Sequence, residues 1–179
     1  MHISIITVTW NSKEQIGRQI ESVQKGAGSL EIEQIIVDNG STDGTVEYIR
    51  EKYPDIQVIA NEKNMGFGAA NQQGVAVSNG QFYLFLNPDM QVEEGSLETI
   101  YAWMKEHKNA GIVSPKLVNE NGELNWEATP RRFPKLWEQL AIIIKLPHIF
   151  PKMLNKYHMK DCNSDIEQDV DTVRGSFML

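Results

Sequence analysis

The chain has 179 residues, of which 17 are Lys or Arg and 24 are Asp or Glu, so its net charge is −7. An apolar content of 41% and a charged content of 23% are typical of a folded domain, and the net acidity argues against a general nucleic-acid binder. The single cysteine excludes an intrachain disulfide. Because the sequence also shows neither a secretory signal nor an apolar run of about 20 residues, we expect a cytoplasmic protein.

Apolar strands and amphipathic helices alternate over the first hundred residues. Runs of β-branched and apolar residues predict strands at 2–10, 33–38, 56–60, 81–86 and 112–113. Apolar spacing of three and four residues predicts helices between them, the first with a capping box from Ser12 to Gln15 and the third over 67–77. Such alternation predicts an α/β fold, with a mostly parallel sheet and helices on both faces. Ligands of such sheets bind at the carboxyl ends of the strands.

The pattern loosens after residue 115. Asn121-Gly122 predicts a hairpin turn, and residues 161–171 carry five acids and no base, which indicates a solvated stretch. Four apolar residues recur on one face of a predicted helix: Leu136, Leu140, Ile143 and Ile144. We expect the apolar stretch from Leu140 to Phe150 to pack in the core or against another subunit rather than on a membrane.

The run Val37-Asp38-Asn39-Gly40-Ser41-Thr42-Asp43-Gly44 joins a strand to a helix through a tight polar turn. Asp38 ends the strand and is placed to accept hydrogen bonds from a ligand. The alternative is an ordinary loop in which Ser41 or Thr42 caps the helix. Turn chemistry explains the glycines and the cap but does not explain Asp38, so the two interpretations have about even weight.

Two further loops follow strands. In Leu86-Asn87-Pro88-Asp89 the proline ends the strand, and an acid at its carboxyl end is suited to a hard divalent cation, although the tripeptide is also typical of a simple turn. The run from Asn64 to Asn71 contains Gly66-x-Gly68, but a dinucleotide fingerprint needs Gly or Ala where Asn71 stands. We therefore interpret its small residues as sites of close packing or close approach to a ligand.

Together these motifs closely resemble the inverting family 2 glycosyltransferases of the GT-A fold. The resemblance rests on Thr7-Val8-Thr9-Trp10-Asn11, the run from Val37 to Gly44, the run from Asn61 to Asn71, and Leu86-Asn87-Pro88-Asp89, in that order. It covers nearly the whole chain. The Asn-Pro-Asp variant is most similar to the rhamnosyltransferase-like branch of bacterial cell-surface polysaccharide synthesis.

The resemblance implies a role for each matching residue. Asp38 would hydrogen-bond a pyrimidine base, and Asp43 would support its loop. Asn87 and Asp89 occupy the family's Asp-x-Asp motif, in which Asp89 would bind Mg²⁺ or Mn²⁺ bridging the donor diphosphate, and the neutral Asn87 is the weaker ligand. The remaining donor-site residues would line the nucleotide pocket: Thr9, Asn11, Asn64, Gly66 and Asn71.

The implied reaction is transfer of a sugar, with inversion, from a UDP-sugar or dTDP-sugar to a glycan or lipid-linked acceptor. Inversion needs a general base for the acceptor hydroxyl. In the family this acid follows a segment like Arg174-Gly175-Ser176-Phe177-Met178-Leu179, so we expect the base beyond Leu179 and a chain truncated there. Residues 1–179 would then be one domain, with a donor half over 1–90 and an incomplete acceptor half over 91–179.

Two alternatives to a working transferase remain open. The chain could be a nucleotide-sugar-binding fragment without turnover, since no residue matches the base. A sugar-phosphate nucleotidylyltransferase has a related architecture, but it needs a Gly-rich basic loop after the first strand, and Trp10-Asn11-Ser12-Lys13 is not that loop.

The remaining features give weaker signals. A metal site at His158 and Cys162 lacks the four ligands of a closed zinc site, and Trp126 has a structural interpretation at least as good as sugar stacking. Arg131, Arg132 and Lys135 fit a solvated loop better than contact with a lipid-diphosphate acceptor or an anionic membrane, because isolated basic pairs are common. Peripheral membrane contact at the inner face and a homodimer stay open as additional partners.

Overall fold

The computed structural model describes residues 1–125, 128–146, 154–159 and 163–179. The chain divides into two compact units, one formed by residues 1–113 together with 175–179 and the other by residues 114–174. Residues 175–179 therefore return to the first unit after the segment that forms the second. Among the described residues, no helix is both long and apolar enough to cross a membrane.

The first unit is built on a five-stranded sheet in the order β3-β2-β1-β4-β5. The first four strands are parallel, and β5 is antiparallel to β4. The sheet confirms the predicted α/β class and its mostly parallel character. The strands are β1 Ile3–Thr9, β2 Ile32–Asp38, β3 Gln57–Ala60, β4 Phe82–Leu86 and β5 Phe177–Met178.

Helices lie on both faces of this sheet, as predicted. Two successive residues of β2 have different neighbours. Ile36 packs with Ile16 and Ile49, which belong to the first and second helices, whereas Val37 packs with Ala70 of the third helix. The side chains of a strand point alternately to its two faces, so each face has its own apolar layer. The helices of this unit are α1 Lys13–Gly26, α2 Thr45–Lys52, α3 Phe67–Val77 and α4 Ser96–Glu106.

Two local predictions were wrong. Residues 112–113 form no strand; instead Val113 exchanges two backbone hydrogen bonds with Leu179, at 2.9 and 3.0 Å. Ser12 does not cap α1 with its side chain, which instead contacts the backbone of Trp10. The backbone N–H of Lys13 at the start of α1 donates to the carboxylate of Asp43, 3.1 Å away.

The described part of the second unit contains the predicted hairpin and a helix. Val118 and Leu124 form an antiparallel bridge around Gly122, whose φ of 78° is readily adopted by glycine. The helix is α5, Leu136–Ile143, where the apolar spacing predicted it. A second bridge, between Arg131 and Thr172, closes the unit near its ends.

Packing of the stretch from Leu140 to Phe150 in the core was wrong for its described residues, whereas packing against another subunit stays a prediction. The predicted apolar face of α5 is exposed, with exposed fractions of 74% for Leu136, 54% for Leu140, 74% for Ile143 and 67% for Ile144. The buried residues of α5 are Glu138 and Ala141 on the opposite side. The helical period was read correctly, but periodicity alone does not say which face meets the protein. The weaker candidates Trp126 and Cys162 lie outside the described residues.

Candidate functional site

A cavity of about 340 Å³ lies at the carboxyl edge of the sheet. Residues that follow β1, β2 and β4 reach it, as does the first residue of α3. This is the edge at which parallel sheets bind ligands. The cavity is lined by Val8, Thr9, Trp10, Ser12, Gln15, Asn39, Asn64, Phe67, Asn87, Pro88 and Asp89.

A second cavity of about 390 Å³ is lined by Asn11, Ser12, Glu14, Gln15, Thr42 and Asp43. It shares two lining residues, Ser12 and Gln15, with the first cavity. The nine predicted site residues divide between these places. Four line the first cavity (Thr9, Asn64, Asn87 and Asp89), two line the second (Asn11 and Asp43), and three line neither (Asp38, Gly66 and Asn71).

Asp38 is 1% exposed, and hydrogen bonds within the chain occupy both of its carboxylate oxygens. Oδ1 accepts from the backbone N–H groups of Gly40 and Ser41, at 3.1 and 2.8 Å. Oδ2 accepts from the hydroxyl of Thr9 at 3.0 Å and from the hydroxyl of Ser41. In this conformation Asp38 therefore holds the turn after β2 against the end of β1.

Asn11 and Asp43 join the loops after β1 and β2. Asn11 has a φ of 52°, and its side-chain oxygen accepts from the backbone N–H of Thr42 at 2.8 Å, while its own N–H donates to Ser41 Oγ at 2.8 Å. Asp43 accepts from the N–H and hydroxyl of Thr45, at 3.0 and 2.5 Å, in addition to the N–H of Lys13. The Asp43 carboxylate thus accepts hydrogen bonds from the first residue of α1 and from the first residue of α2.

The environment of Asp43 lowers the pKa of its carboxyl group. Burial by itself would raise this pKa, but hydrogen bonds from Thr45 and from the backbone N–H of Lys13 favour the ionised form and outweigh it. A carboxylate is also favoured by the positive end of a helix dipole. Asp43 is therefore an ionised support of the loops after β1 and β2.

A buried amide organises the loop between β3 and α3. Asn39, 3% exposed, accepts from the backbone N–H of Met65 at 3.1 Å and donates to Asn64 Oδ1 at 3.3 Å and to the Gly66 carbonyl at 3.4 Å. Gly66, which precedes α3, has a φ of 86°. A residue with a side chain would be strained in that backbone conformation. Asn71 donates to the carbonyl of Phe67 at 3.1 Å, within the same helix.

Asp89 differs from the other two aspartates because it is exposed in the first cavity and, among the described residues, its carboxylate makes no hydrogen bond or ion pair. Asn87 lies beside it and presents an amide, and its backbone N–H donates to the Ser176 carbonyl at 3.1 Å. The described residues contain no cluster of three His, Cys, Asp or Glu that could hold a metal ion alone. One carboxylate and one amide fit a hard cation that receives its other oxygens from a ligand.

Sequence reasoning assigned no role to three residues of this site. Trp10 and Phe67 line the first cavity with 60% and 49% of their surfaces exposed, and aromatic faces of this kind can stack on a flat ring. Trp10 directly follows β1, so its position at the sheet edge was a usable signal. Asn39 gave no signal of its own, since only the folded loop shows what its amide contacts.

Comparison with known proteins supports the resemblance drawn from the motifs. The family model described as "Glycosyl transferase family 2" matches residues 4–162. The chain therefore belongs to glycosyltransferase family 2, and its fold is the α/β GT-A fold.

Three similar proteins illustrate the relationship. The chain is 32% identical to a minor teichoic acid biosynthesis protein, GgaB of Bacillus subtilis, over 93% of this chain and 19% of the relative. It is 23% identical to the N-acetylglucosaminyl-diphospho-decaprenol L-rhamnosyltransferase of Mycobacterium tuberculosis, over 75% of this chain and 46% of the relative. A crystal structure of Staphylococcus aureus TarS 1-349 in complex with UDP superposes with a TM-score of 0.59 and 26% identity, over 73% of this chain and 40% of that one. The chain thus spans less than half the length of these relatives.

Proposed function

We propose that this chain is the donor-binding part of a glycosyltransferase that uses a nucleotide-diphosphate sugar, UDP-linked or dTDP-linked, in cell-surface polysaccharide synthesis. The observation that carries the proposal is the first cavity, where a free carboxylate, several amides and two exposed aromatic rings meet at the carboxyl edge of the sheet. Membership of family 2 and the teichoic acid and rhamnosyl relatives support it.

The residues that line the first cavity suggest which part of the donor each would contact. Trp10 or Phe67 would stack on the base or sugar, and the amides of Asn64 and Asn87 would hydrogen-bond to ribose or phosphate oxygens. Thr9 would act through Asp38, because its hydroxyl is already donated to that carboxylate. For Asp38 to bind a pyrimidine base, at least one of its four internal hydrogen bonds would have to be exchanged for one from the ligand.

Enzymes of this family generally use a divalent metal ion, and we propose Mg²⁺ or Mn²⁺ here. Asp89 would be its protein ligand, with Asn87 as a weak neutral neighbour and the diphosphate supplying further oxygens. When bound, such an ion neutralises the charge that develops on the leaving diphosphate. The protein's own part would be to hold Asp89 in the first cavity, to which Pro88 and the backbone hydrogen bond from Asn87 to Ser176 would contribute.

The general base for inverting transfer stays a prediction. Asp89 is the only carboxylate among the described residues that line the first cavity, and a metal-binding Asp89 cannot also accept the acceptor's proton. This observation favours, as a second candidate, a fragment over residues 1–179 that binds donor without turnover. On this proposal the donor half lies within residues 1–90, the acceptor half begins after it, and the base follows Leu179.

The acceptor would be a glycan or a lipid-linked sugar. A lipid-linked acceptor would place transfer at the cytoplasmic face of a membrane, and we propose that the protein works there. A homodimer would be compatible with the exposed apolar residues of α5. Both proposals concern partners and do not affect the donor site.

Calorimetric titration tests the donor site. We expect UDP or dTDP to bind wild-type protein more tightly with Mn²⁺ than without it. Asp89→Asn keeps the shape of the side chain but removes its charge, so it should abolish most of this metal-dependent gain, about tenfold to 100-fold in affinity. Absence of binding by either nucleotide, with or without metal, would contradict the donor-site assignment.

Two controls make the result specific. Asp169→Asn removes a charge from an exposed aspartate elsewhere in the described chain and should leave nucleotide affinity unchanged. Sugar transfer should be low for residues 1–179 and restored in a chain that continues beyond Leu179. Robust transfer by residues 1–179 alone would refute the predicted position of the base.

A further inference from the structure

The side-chain amide of Asn64 has a fixed orientation at the first cavity. Its Oδ1 accepts from the backbone N–H of Gly66 at 2.8 Å. A backbone N–H can only donate, so the amide atom that faces it must be the oxygen. Asn64 is exposed and lines the cavity, and among the described residues no group accepts a hydrogen bond from its Nδ2.

Asn39 supplies a second hydrogen bond to the same oxygen. The backbone fixes the orientation of Asn39 as well, because its Oδ1 accepts from the N–H of Met65 at 3.1 Å and its Nδ2 donates to the Gly66 carbonyl at 3.4 Å. The atom that faces Asn64 is therefore a nitrogen, which donates to Asn64 Oδ1 at 3.3 Å. Asn39 is 3% exposed, so water does not readily replace these bonds.

These bonds leave Asn64 with one kind of hydrogen bond to offer. An amide oxygen has two lone pairs, and Gly66 and Asn39 occupy both, whereas the nitrogen keeps two N–H groups. Asn64 is therefore a hydrogen-bond donor toward the cavity and is unsuited to bind a cation. Asn87 differs, since its side chain makes no hydrogen bond to the described residues and either end of its amide can turn to the cavity.

We infer that Asn39 is a positioning residue, which holds the Asn64 amide so that its N–H groups face an acceptor oxygen of the donor nucleotide. The inference rests on the proposed function, which makes the ligand a nucleotide diphosphate. Base carbonyls and ionised phosphate oxygens accept hydrogen bonds without donating them, and a ribose hydroxyl can also accept. A reversed Asn64 amide would present its oxygen to these oxygens and repel them.

Asn39 acts on Asn64 by two routes. One is the direct bond to Asn64 Oδ1, and the other is its hold on the backbone of Met65 and Gly66, which carries the second donor to that oxygen. Loss of the Asn39 side chain would weaken both routes at once. The effect on nucleotide binding should then be as large as that of removing the Asn64 amide itself.

Calorimetric titration of UDP in saturating Mn²⁺ tests the inference. Asn64→Asp keeps an oxygen for Gly66 and Asn39 but turns a charged oxygen to the cavity, so UDP affinity should fall about tenfold or more. Asn64→Ala and Asn39→Ala should each lower it about fivefold, the value of one neutral hydrogen bond. The double alanine substitution should also lower it about fivefold, not the roughly 25-fold expected of independent residues.

Gln73→Leu is the matched control for loop stability. Gln73 and Asn61 exchange two amide hydrogen bonds, at 2.8 and 3.0 Å, which join the start of the same loop to α3. Gln73 lines neither cavity and has no hydrogen bond to Asn64. Gln73→Leu should therefore lower the temperature of thermal unfolding, as Asn39→Ala does, but leave UDP affinity within about twofold of the wild type.

Titration of UMP locates the acceptor oxygen. Equal losses for UMP and UDP in Asn64→Ala would place it on the nucleoside or α-phosphate, and a loss for UDP alone would place it on the β-phosphate. Unchanged or tighter binding by Asn64→Asp, an additive double substitution, or an equal loss in Gln73→Leu would overturn the inference. Failure of the wild type to bind any nucleotide would instead contradict the proposed function.

Discussion

At the scale of single residues, the three aspartates of the site loops have different tasks. Asp38 is saturated by hydrogen bonds inside the chain, Asp43 supports two helix starts, and Asp89 is left exposed in the cavity. Asp38 ends a strand, and Asp43 and Asp89 lie in loops that follow strands, so position in the sequence alone does not say what each one contacts. The difference lies in which backbone N–H groups the folded loops bring to each carboxylate.

The first prediction concerns Asp43. Asp43→Asn should destabilise the protein by about 1–2 kcal/mol at neutral pH, because it weakens the bonds that satisfy the first turns of α1 and α2. The pKa of Asp43 is lowered in the folded state, so its stabilisation is complete above the unfolded-state pKa of about 3.9 and is lost as pH falls through the folded-state pKa. Urea unfolding should therefore show the wild type approaching the variant in acid.

The matched substitution is Asp55→Asn. Asp55 is exposed, and its carboxylate makes no hydrogen bond to the described residues. Its removal should change stability by less than about 0.5 kcal/mol at neutral pH. Equal effects of the two substitutions would show that Asp43 has no special role in joining the loops.

At the scale of elements, α3 is fitted to the sheet by its small residues. A Cβ on Gly74 would lie 2.5 Å from Cγ2 of Ile6, a fully buried residue of β1, while a Cβ on Gly68 would have nothing within 4 Å. The two glycines belong to the same helix, but only one of them is at the packed face. Close packing thus explains Gly74, and Gly68 faces open space.

The second prediction uses the same substitution at both positions. Gly68→Ala should stabilise the protein by up to about 1 kcal/mol, since alanine favours the helix more than glycine does. Gly74→Ala has the same helical gain, but the clash with Ile6 should make it destabilising overall, by about 1 kcal/mol or more. Denaturant unfolding of the two variants should give changes of opposite sign. The same sign for both would contradict the packing of α3 on β1.

At the scale of the whole molecule, the last five residues of the chain complete the sheet that the first hundred began. β5 pairs with Phe85 and Leu86 of β4, and the carbonyl of Ser176 accepts from the backbone N–H of Asn87. Phe177 is 3% exposed and Leu179 is 6% exposed, so these residues belong to the core of the first unit. The loop that carries Asp89 is therefore held through Asn87 by Ser176, which lies 89 positions after Asn87 in the sequence.

The third prediction is that Phe177→Ala destabilises the first unit by about 3–5 kcal/mol, the usual loss for a buried phenylalanine. Phe133→Ala is the control, because Phe133 is 69% exposed and its loss should change stability by less than about 0.5 kcal/mol. Urea unfolding followed by tryptophan fluorescence would measure both. A small effect at Phe177 would show that β5 is dispensable for the sheet.

Much of the fold was determined by the sequence alone. The four parallel strands, α3 and the face of α5 follow from local periodicity, which depends only on neighbouring residues. The motifs after β1, β2 and β4 identified the family, and they marked the sheet edge at which the cavity lies. The sequence could do this because the carboxyl ends of parallel strands share one edge, whatever the loops between them do.

Only the tertiary structure decided what each loop residue contacts and which apolar face meets the protein. The bonds of Asp38 come from the loop itself, and those of Asp43 from residues as far away as Lys13, so spacing could not rank them as ligand groups. The apolar residues of α5 have the pattern of a buried face but are exposed, because a period records amphipathicity and does not name the partner. Long-range contacts settled both questions, and these form only when distant segments meet in the folded chain.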